Sequence, residues 1–422
     1  MTRRVLLIAT TTGYQVRAFS AAAARTGVEL VFATDRCQQL SDPWRDRAIP
    51  VRFHDDVGSL EAVRAFHEQS PFDAVLAVGD RPAVLAAVVC DALGIAGHPP
   101  TAARMSVHKA ATRRCLAAAG LPTPECEELA FADISEPMES PVSFPCVVKP
   151  LALSGSRGVI RADDSHQLAA ALERVRRLLS RREIQANRDG THTRVVIEAF
   201  VTGREYAVEG VVHHGCFHLL ALFDKPDPLD GPFFEESIYV TPSQQPRRVQ
   251  QAIEHAVKAA VTALGFHHGS VHAECRVNDR GVFVLEVAAR PIGGLCARAL
   301  RFLGPDRGLI PLEELLLRQA LGAPPGRYCR ETEASGVMMI PIPRPGIYRG
   351  TDRVDSARAV PNIVDVEMTA KPDQRLEPLP EGASYLGFIF ARALRPAAVV
   401  AALRKAHRRL RVRIDPPIEV LR

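Results

Sequence analysis

A chain of 422 residues, at ~150 residues per domain, has length enough for about three domains, each with its own core. A composition of 47% hydrophobic and 24% charged residues is that of a folded globular protein and excludes disordered or fibrous classes. A formal net charge of +5, from 53 basic and 48 acidic residues, is too mild to make nucleic acid or a membrane surface the expected partner. No apolar run reaches the ~18 residues of a transmembrane helix. The apolar stretch after Met1-Thr2-Arg3-Arg4 runs only from Val5 to Ala9, so it reads as a first strand and not as a secretory signal, whose apolar part needs ~7–15 residues. Nine cysteines without a close C-x-x-C pair speak against a zinc knuckle or redox motif. They fit reduced, buried side chains in a cytoplasmic protein.

Residues 1–100 alternate strand-like and helix-like segments: strand Val5–Ala9, helix Gly13–Thr26, strand Val28–Ala33, then strand Ala74–Val78 and helix Pro82–Leu93. That order predicts a parallel, doubly wound sheet. The first turn, Thr10-Thr11-Thr12-Gly13, lacks the G-x-G-x-x-G spacing, so no dinucleotide site is expected there. Gly97-His98-Pro99-Pro100 marks a boundary. Beyond it come a helix over Val107–Ala119, a strand Cys146–Lys149, a Ser/Gly-rich loop Leu153–Gly158 and a basic amphipathic helix Ser165–Arg182. Strands are predicted at Arg194–Ala199, Glu205–His213 and His218–Phe223, a helix over Arg247–Leu264 and a hairpin over Ser270–Ala289. The stretch Leu321-Gly322-Ala323-Pro324-Pro325-Gly326 marks a second boundary. A smaller α+β unit follows, with strands near Gly336–Ile340, Asp365–Ala370 and Tyr385–Ala391 and a last helix over Pro396–Leu410. The expected domains are therefore 1–100, 101–322 and 323–422, in a mixed α/β and α+β chain.

Three segments carry chemistry. In Phe144-Pro145-Cys146-Val147-Val148-Lys149-Pro150 a lysine ends an apolar strand, a costly place unless it meets an anion. The glycines of the loop that follows, Ser154-Gly155-Ser156-Arg157-Gly158, let backbone N–H groups approach a phosphate. In the second segment, Val195 to Tyr206, an apolar strand runs through the connector Glu198-Ala199-Phe200-Val201 into a turn and a second strand. Such a connector offers backbone groups to an adenine edge, and Glu205 just past the turn suits ribose hydroxyls.

The third segment is sharper. If Asp279-Arg280-Gly281 is a three-residue hairpin loop, Asn278 faces Val282, and counting back places Glu274 directly opposite Glu286. Opposed carboxylates ~4.5–5.5 Å apart repel, and a divalent cation bridging to phosphates relieves them. A four-residue loop would put the two on opposite faces. Arg290-Pro291-Ile292-Gly293-Gly294 then sets a cation and a compact backbone beside the expected metal. His213-His214, His267-His268 and His272 share only composition with a metal cluster; without fixed ligand spacing no zinc site is expected.

Together, the lysine–glycine loop, the I-E-x-F-x-x-G-x-E connector and the paired glutamates resemble the ATP-grasp superfamily of ligases. Asp224-Lys225-Pro226, Phe233-Phe234-Glu235-Glu236-Ser237 and the E-x-x-x-R run from Glu286 to Arg290 are similar to its L-amino-acid ligase branch. Gly336–Pro341 and Pro380–Phe388 resemble that branch's C-terminal domain. The resemblance implies an ATP-grasp fold with an N-terminal pre-ATP-grasp domain and a small C-terminal α+β domain. It implies a carboxylate–amine ligase that uses ATP and Mg²⁺ (with Mn²⁺ as an alternative) to join two small molecules, expected to be amino acids, through an acyl phosphate. Lys109 and Lys149 would hold the ATP phosphates and Ser154, Gly155, Ser156 and Gly158 would close over them. Glu198, Ala199, Phe200 and Val201 would line the adenine and Glu205 the ribose; Glu274 and Glu286 would bind metal. Arg290 and Lys149 would act on the transferring phosphoryl group, and Glu236, Arg290, Gly293 and Gly294 would meet substrate.

Two departures stand out. Ala288 occupies a position where many ATP-grasp enzymes have a metal-binding Asn, and His108 stands where an Asp or Asn often precedes the first lysine. The alternatives are a ligase acting on another carboxylate or amine, and a nucleotide-binding regulator without turnover. A homodimer, the commonest assembly, is the default expectation.

Overall fold

The computed structural model describes residues 2–10, 15–35, 48–134 and 139–416. The Thr11–Gly13 part of the first turn, and with it the expected helix start at Gly13, lies outside the described residues.

The N-terminal strands form the expected parallel sheet, in the order Ile49–Pro50, Glu29–Thr34, Arg4–Ala9, Ala74–Val78. Val5 to Ala9 are all buried, as a continuous apolar run in a doubly covered strand requires. Val5 and Leu7 pack with Phe19, Leu315 and Leu316, while Leu6 and Ile8 pack on the other face with Val63 and Val89. The helix Val16–Thr26 ends at Gly27 in the left-handed conformation (φ +67°), where glycine has no Cβ to clash. Ala74–Val78 leads through Gly79 into the helix Asp80–Leu93.

The helix predicted over Val107–Ala119 is two helices, Pro100–Val107 and Lys109–Ala118. His108 separates them in an extended conformation (φ −108°, ψ 98°), and its Nδ1 accepts a hydrogen bond from the Ala111 N–H at 3.2 Å. This is the capping role that Asp or Asn fills at helix starts, so the histidine is a replacement cap. It leaves Lys109 as the first helical residue.

A four-stranded antiparallel sheet, in the order Cys126–Ala130, Arg194–Ala199, Cys146–Pro150, Ile160–Ala162, is backed by the helix Ser165–Leu179. That helix buries Leu168, Ala171, Leu172, Val175, Leu178 and Leu179 and turns its arginines outward. It stops before the predicted Arg182, which opens a separate short turn, Arg182–Gln185.

The largest sheet has eight strands, in the order Gly281–Ala288, Gly269–Asn278, Arg204–His213, Cys216–Asp224, Ile238–Thr241, Ala334–Ile340, Gly387–Ala393, Ile363–Met368. The C-terminal strands thus extend the central sheet through the pairing of Ile238–Thr241 with Ala334–Ile340. One face is covered by the helix Arg247–Ala263, whose Ile253, Val257, Ala260 and Val261 meet Val208, Val212, Val271 and Ala273. Alternation then sends Glu205, Glu209, His272 and Glu274 to the opposite face, since Glu205 pairs with Arg276, Ala207 with Glu274 and Glu209 with His272. Polar residues at this period in two buried strands build one side of a site. Among the described residues no helix is long and apolar enough to cross a membrane.

Candidate active site

One cavity of about 530 Å³ lies between the parallel N-terminal sheet, the four-stranded sheet and the eight-stranded sheet. Lys109, Lys149, Ser154, Gly155, Ser156, Glu198, Ala199, Phe200, Val201, Glu205, Glu236, Glu274, Glu286, Arg290, Gly293 and Gly294 all line it. Gly158 does not. Its N–H donates to the Pro380 carbonyl at 2.8 Å, and a Cβ on it would lie 2.6 Å from the Pro150 ring. With φ +75° it shapes the loop from behind and ties it to the C-terminal segment.

The hairpin brings the two metal-expected glutamates together by a route other than the one anticipated. Its turn is Asp279-Arg280, two residues, with Asn278 facing Gly281. Regular pairing from that turn would set Glu274 against Leu285. The register instead shifts by one residue between Cys275 and Glu274, and the bulge restores Glu274 to a position opposite Glu286. Bulges re-aim side chains at sites of this kind.

The Glu286 carboxylate accepts no hydrogen bond among the described residues, and the nearest cation is Arg290 Nη2 at 3.8 Å. Its carboxylate and that of Glu274 are hard oxygen donors on one wall of the cavity, a set that fits Mg²⁺. Glu274 has one oxygen already engaged: its Oε1 accepts from Lys225 Nζ at 2.9 Å and from the Tyr239 hydroxyl at 3.0 Å.

Lys149 Nζ donates to Glu198 Oε2 at 2.6 Å, and Arg113 Nε donates to Glu198 Oε1 at 3.0 Å. Burial alone would raise the Glu198 carboxyl, but Arg113 and Lys149 hold it down to about 2. The carboxylate expected against an adenine is thus a buried partner of Lys149, the lysine expected to meet phosphate. Lys109 Nζ donates to the Leu153 carbonyl at 2.6 Å, which ties it to the start of the Ser/Gly loop. Burial pushes the Lys109 ammonium down against the attraction of Glu286.

Arg290 is fixed by a residue the sequence reading missed. Its Nε donates to Asp80 Oδ1 at 2.5 Å, across from the first turn of the helix Asp80–Leu93. Burial opposes the charge, yet Asp80 and Glu286 raise the guanidinium, so it is permanently cationic. The available signal was position: Gly79-Asp80 follows the carboxyl end of a parallel strand, where doubly wound sheets bind ligands.

A second missed residue is Lys225, buried at the end of Cys216–Asp224. Its Nζ lies 2.7 Å from Glu205, 2.5 Å from Glu236 and 2.9 Å from Glu274. Arg276 Nε takes the other oxygen of Glu205 at 2.9 Å. Both oxygens of Glu205, the residue expected at the ribose, are thus engaged by cations on the cavity wall. Burial and Glu274 push the Glu236 carboxyl up to about 7, against the pull of Lys225. His272, between Glu209 at 3.1 Å and Glu274 at 3.7 Å, is pushed up to about 9 by those carboxylates despite its burial.

The connector also shows why its turn is glycine. Gly203 sits at φ +109°, and a Cβ there would lie 2.2 Å from the Val277 carbonyl oxygen. Next to it the Phe200 ring lies between the guanidinium groups of Arg161 and Arg276, 4.5 and 5.0 Å from its centroid.

Comparison with known proteins agrees with this layout. The ATP-grasp N-terminal domain matches residues 19–97, the ATP-grasp domain residues 142–299, and the L-amino acid ligase C-terminal domain 2 residues 338–415. A Sinorhizobium fredii protein designated y4rH is 25% identical over 323 residues, 72% of this chain and 60% of that protein. Carnosine synthase 1 of Gallus gallus is 28% identical over 286 residues, 64% of this chain and 30% of that protein. The chain therefore spans less than two thirds of these relatives' own lengths. The crystal structure of L-amino acid ligase from Bacillus licheniformis is 26% identical with a TM-score of 0.78, over 98% of this chain and 100% of that one. Three domain matches in this order, around one cavity of lysines, arginine and paired glutamates, give the chain an ATP-grasp domain flanked by the N- and C-terminal domains that accompany it, in a full-length resemblance to an L-amino acid ligase.

Proposed function

We propose that this ligase joins the carboxylate of one amino acid to the amine of another, converting ATP to ADP and phosphate through an acyl phosphate. The observation that carries the reading is the charge layout of the cavity. Lys109, Lys149 and Arg290 line it together with Glu274 and Glu286, and Glu236, whose second oxygen is open, lies beside them in the Lys225 cluster with Glu205 and Glu274. The full-length likeness to an L-amino acid ligase supports the choice of substrate class.

A free carboxylate is a poor electrophile, and phosphorylation supplies its leaving group. That transfer is largely positioning and charge stabilisation. Lys149, braced by Glu198, and Lys109, braced by the Leu153 carbonyl, hold the ATP phosphates. Glu274 and Glu286 would hold Mg²⁺, which would supply charge neutralisation at the phosphates. Arg290, locked by Asp80, meets the γ-phosphoryl group as charge develops on it. No side-chain nucleophile is required, and burial pushes the thiol of Cys296, on the cavity wall, well up and keeps it protonated. The Ser154–Ser156 loop shields the acyl phosphate from water. Holding the amine beside that intermediate supplies up to ~7–11 kcal/mol through proximity.

Phosphate release measured with pooled amino acids tests the reading. Release that needs only amino acids supports it. Release that appears only with other carboxylates or amines assigns a different ligase, and no release with any of them assigns a non-catalytic nucleotide-binding role.

Glu236 supplies a pH signature. Its Oε2 accepts no hydrogen bond among the described residues, leaving it open to a substrate ammonium. With a carboxyl near 7, the ionised form that binds an ammonium is scarce at low pH and dominant above neutrality. KM for the amino acid bound there is expected to fall about tenfold between roughly pH 6 and pH 8. The trend should vanish in Glu236→Gln; a KM that is flat or rises with pH in the wild type would place the ammonium elsewhere.

A further inference from the structure

Away from the cavity, strand register brings the distant His268 to the adjacent pair His213-His214. His213 ends the strand Arg204–His213. His214 occupies the two-residue turn to the next strand in the left-handed conformation (φ 49°), followed by Gly215 (φ 80°). His268 immediately precedes the strand Gly269–Asn278, whose first residue pairs with Val212. The turn and the connector are joined further by the Gly215 N–H, which donates to the His267 carbonyl at 2.8 Å.

The rings surround a common point. Their centroids are 4.5 Å apart for His213–His214, 4.9 Å for His214–His268 and 5.2 Å for His213–His268. One ring nitrogen from each lies within 4.8 Å of the other two. Three imidazoles bound tetrahedrally at ~2.0–2.1 Å per Zn–N bond would have ring centres about 5 Å apart. The spacing is that of a three-histidine site.

Two further observations point to a ligand. The Nδ1 atoms of His213 and His268 are buried without a hydrogen-bond partner, and His268 is only 4% exposed. Gln319, from the helix Leu312–Ala320, reaches His268 Nε2 with its amide nitrogen at 3.0 Å, while its own Oε1 is buried without a partner. Metal on His268 Nδ1 leaves the ring proton on Nε2, and Gln319 Oε1 is the acceptor that proton needs once the amide turns over.

We propose that His213, His214 and His268 form a zinc(II) site, with the fourth position open to solvent beside exposed His214. An all-imidazole set selects Zn²⁺ over the hard Mg²⁺ that suits carboxylates. His268 is six residues from Glu274, roughly 20 Å along an extended strand, and none of the three lines the catalytic cavity. The ion pins the hairpin turn at His214 to the connector before Gly269 and, through Gln319, to the helix beneath.

Untagged full-length protein, stripped with chelator and held in saturating Mg²⁺, is titrated with Zn²⁺ by calorimetry, with thermal unfolding followed in parallel. One zinc per chain and a raised melting temperature are expected in the wild type. His214→Asn, which tolerates the left-handed turn, and His268→Gln should each weaken zinc binding by more than about 100-fold. The wild type taking up no zinc, or both variants binding it as the wild type does, would overturn the assignment.

Discussion

Glu286→Ala is expected to reduce turnover by at least ~10²–10³-fold, the scale for removing one preorganised stabiliser of transition-state charge, while leaving the melting temperature unchanged. The reason is that the Glu286 side chain adds little to the fold: its carboxylate accepts no hydrogen bond among the described residues, lies 3.8 Å from Arg290 and stands opposite a second carboxylate. Glu274→Ala should abolish turnover equally but with a structural cost. It removes an acceptor from Lys225 and Tyr239, and a lost buried hydrogen bond to a charge costs ~1–3 kcal/mol. Phosphate release and thermal unfolding of the two variants separate these effects. Normal phosphate release by folded Glu286→Ala protein would remove Glu286 from the metal site, and equal melting temperatures would remove the structural role of Glu274.

Much of this arrangement was legible in the sequence because it is local. Ala74–Val78 and Arg194–Ala199 are strands over the residues predicted, since short apolar runs between turn residues have few alternatives. The lysine, the glycine loop and the glutamate hairpin were each readable within a dozen residues. What escaped were partners distant in the chain. Asp80 and Arg290 are 210 residues apart, Arg113 and Glu198 are 85, and no spacing rule connects them. Lys225 was visible in a motif, but its place among three glutamates depends on the pairing of Asp224 with Tyr206. The period-2 run His272-Ala273-Glu274-Cys275-Arg276, polar on one face and buried on the other, was the available clue to that face.

Errors arose where one residue changes local geometry. His108 breaks what reads as a continuous helix because its ring caps the second half, an effect invisible to periodicity. At the hairpin, the turn is one residue shorter than expected and a bulge adds the residue back, so the facing glutamates survive two compensating departures. His268 meets the His213-His214 pair only through the register of two neighbouring strands, which composition does not reveal.

The central claim is that charge is stabilised at the terminal phosphate of ATP. Activation of a carboxylate as an acyl adenylate needs that stabilisation at the α-phosphate, whereas an acyl phosphate needs it at the γ-phosphate. Arg290, held by Asp80 and flanked by Glu286, is the permanent cation that the reading places there. Arg290→Ala is expected to lower ADP formation by ~10²–10³-fold while ATP binding stays nearly intact, because the contact strengthens in the transition state. Arg290→Lys keeps a charge near Asp80 but loses the planar fork, so it should fold normally and remain impaired. Chromatography of the nucleotides formed by the wild-type enzyme decides the mechanism. ADP and phosphate, equimolar with the amide formed and without AMP, are the predicted products; AMP and pyrophosphate as main products would contradict the account.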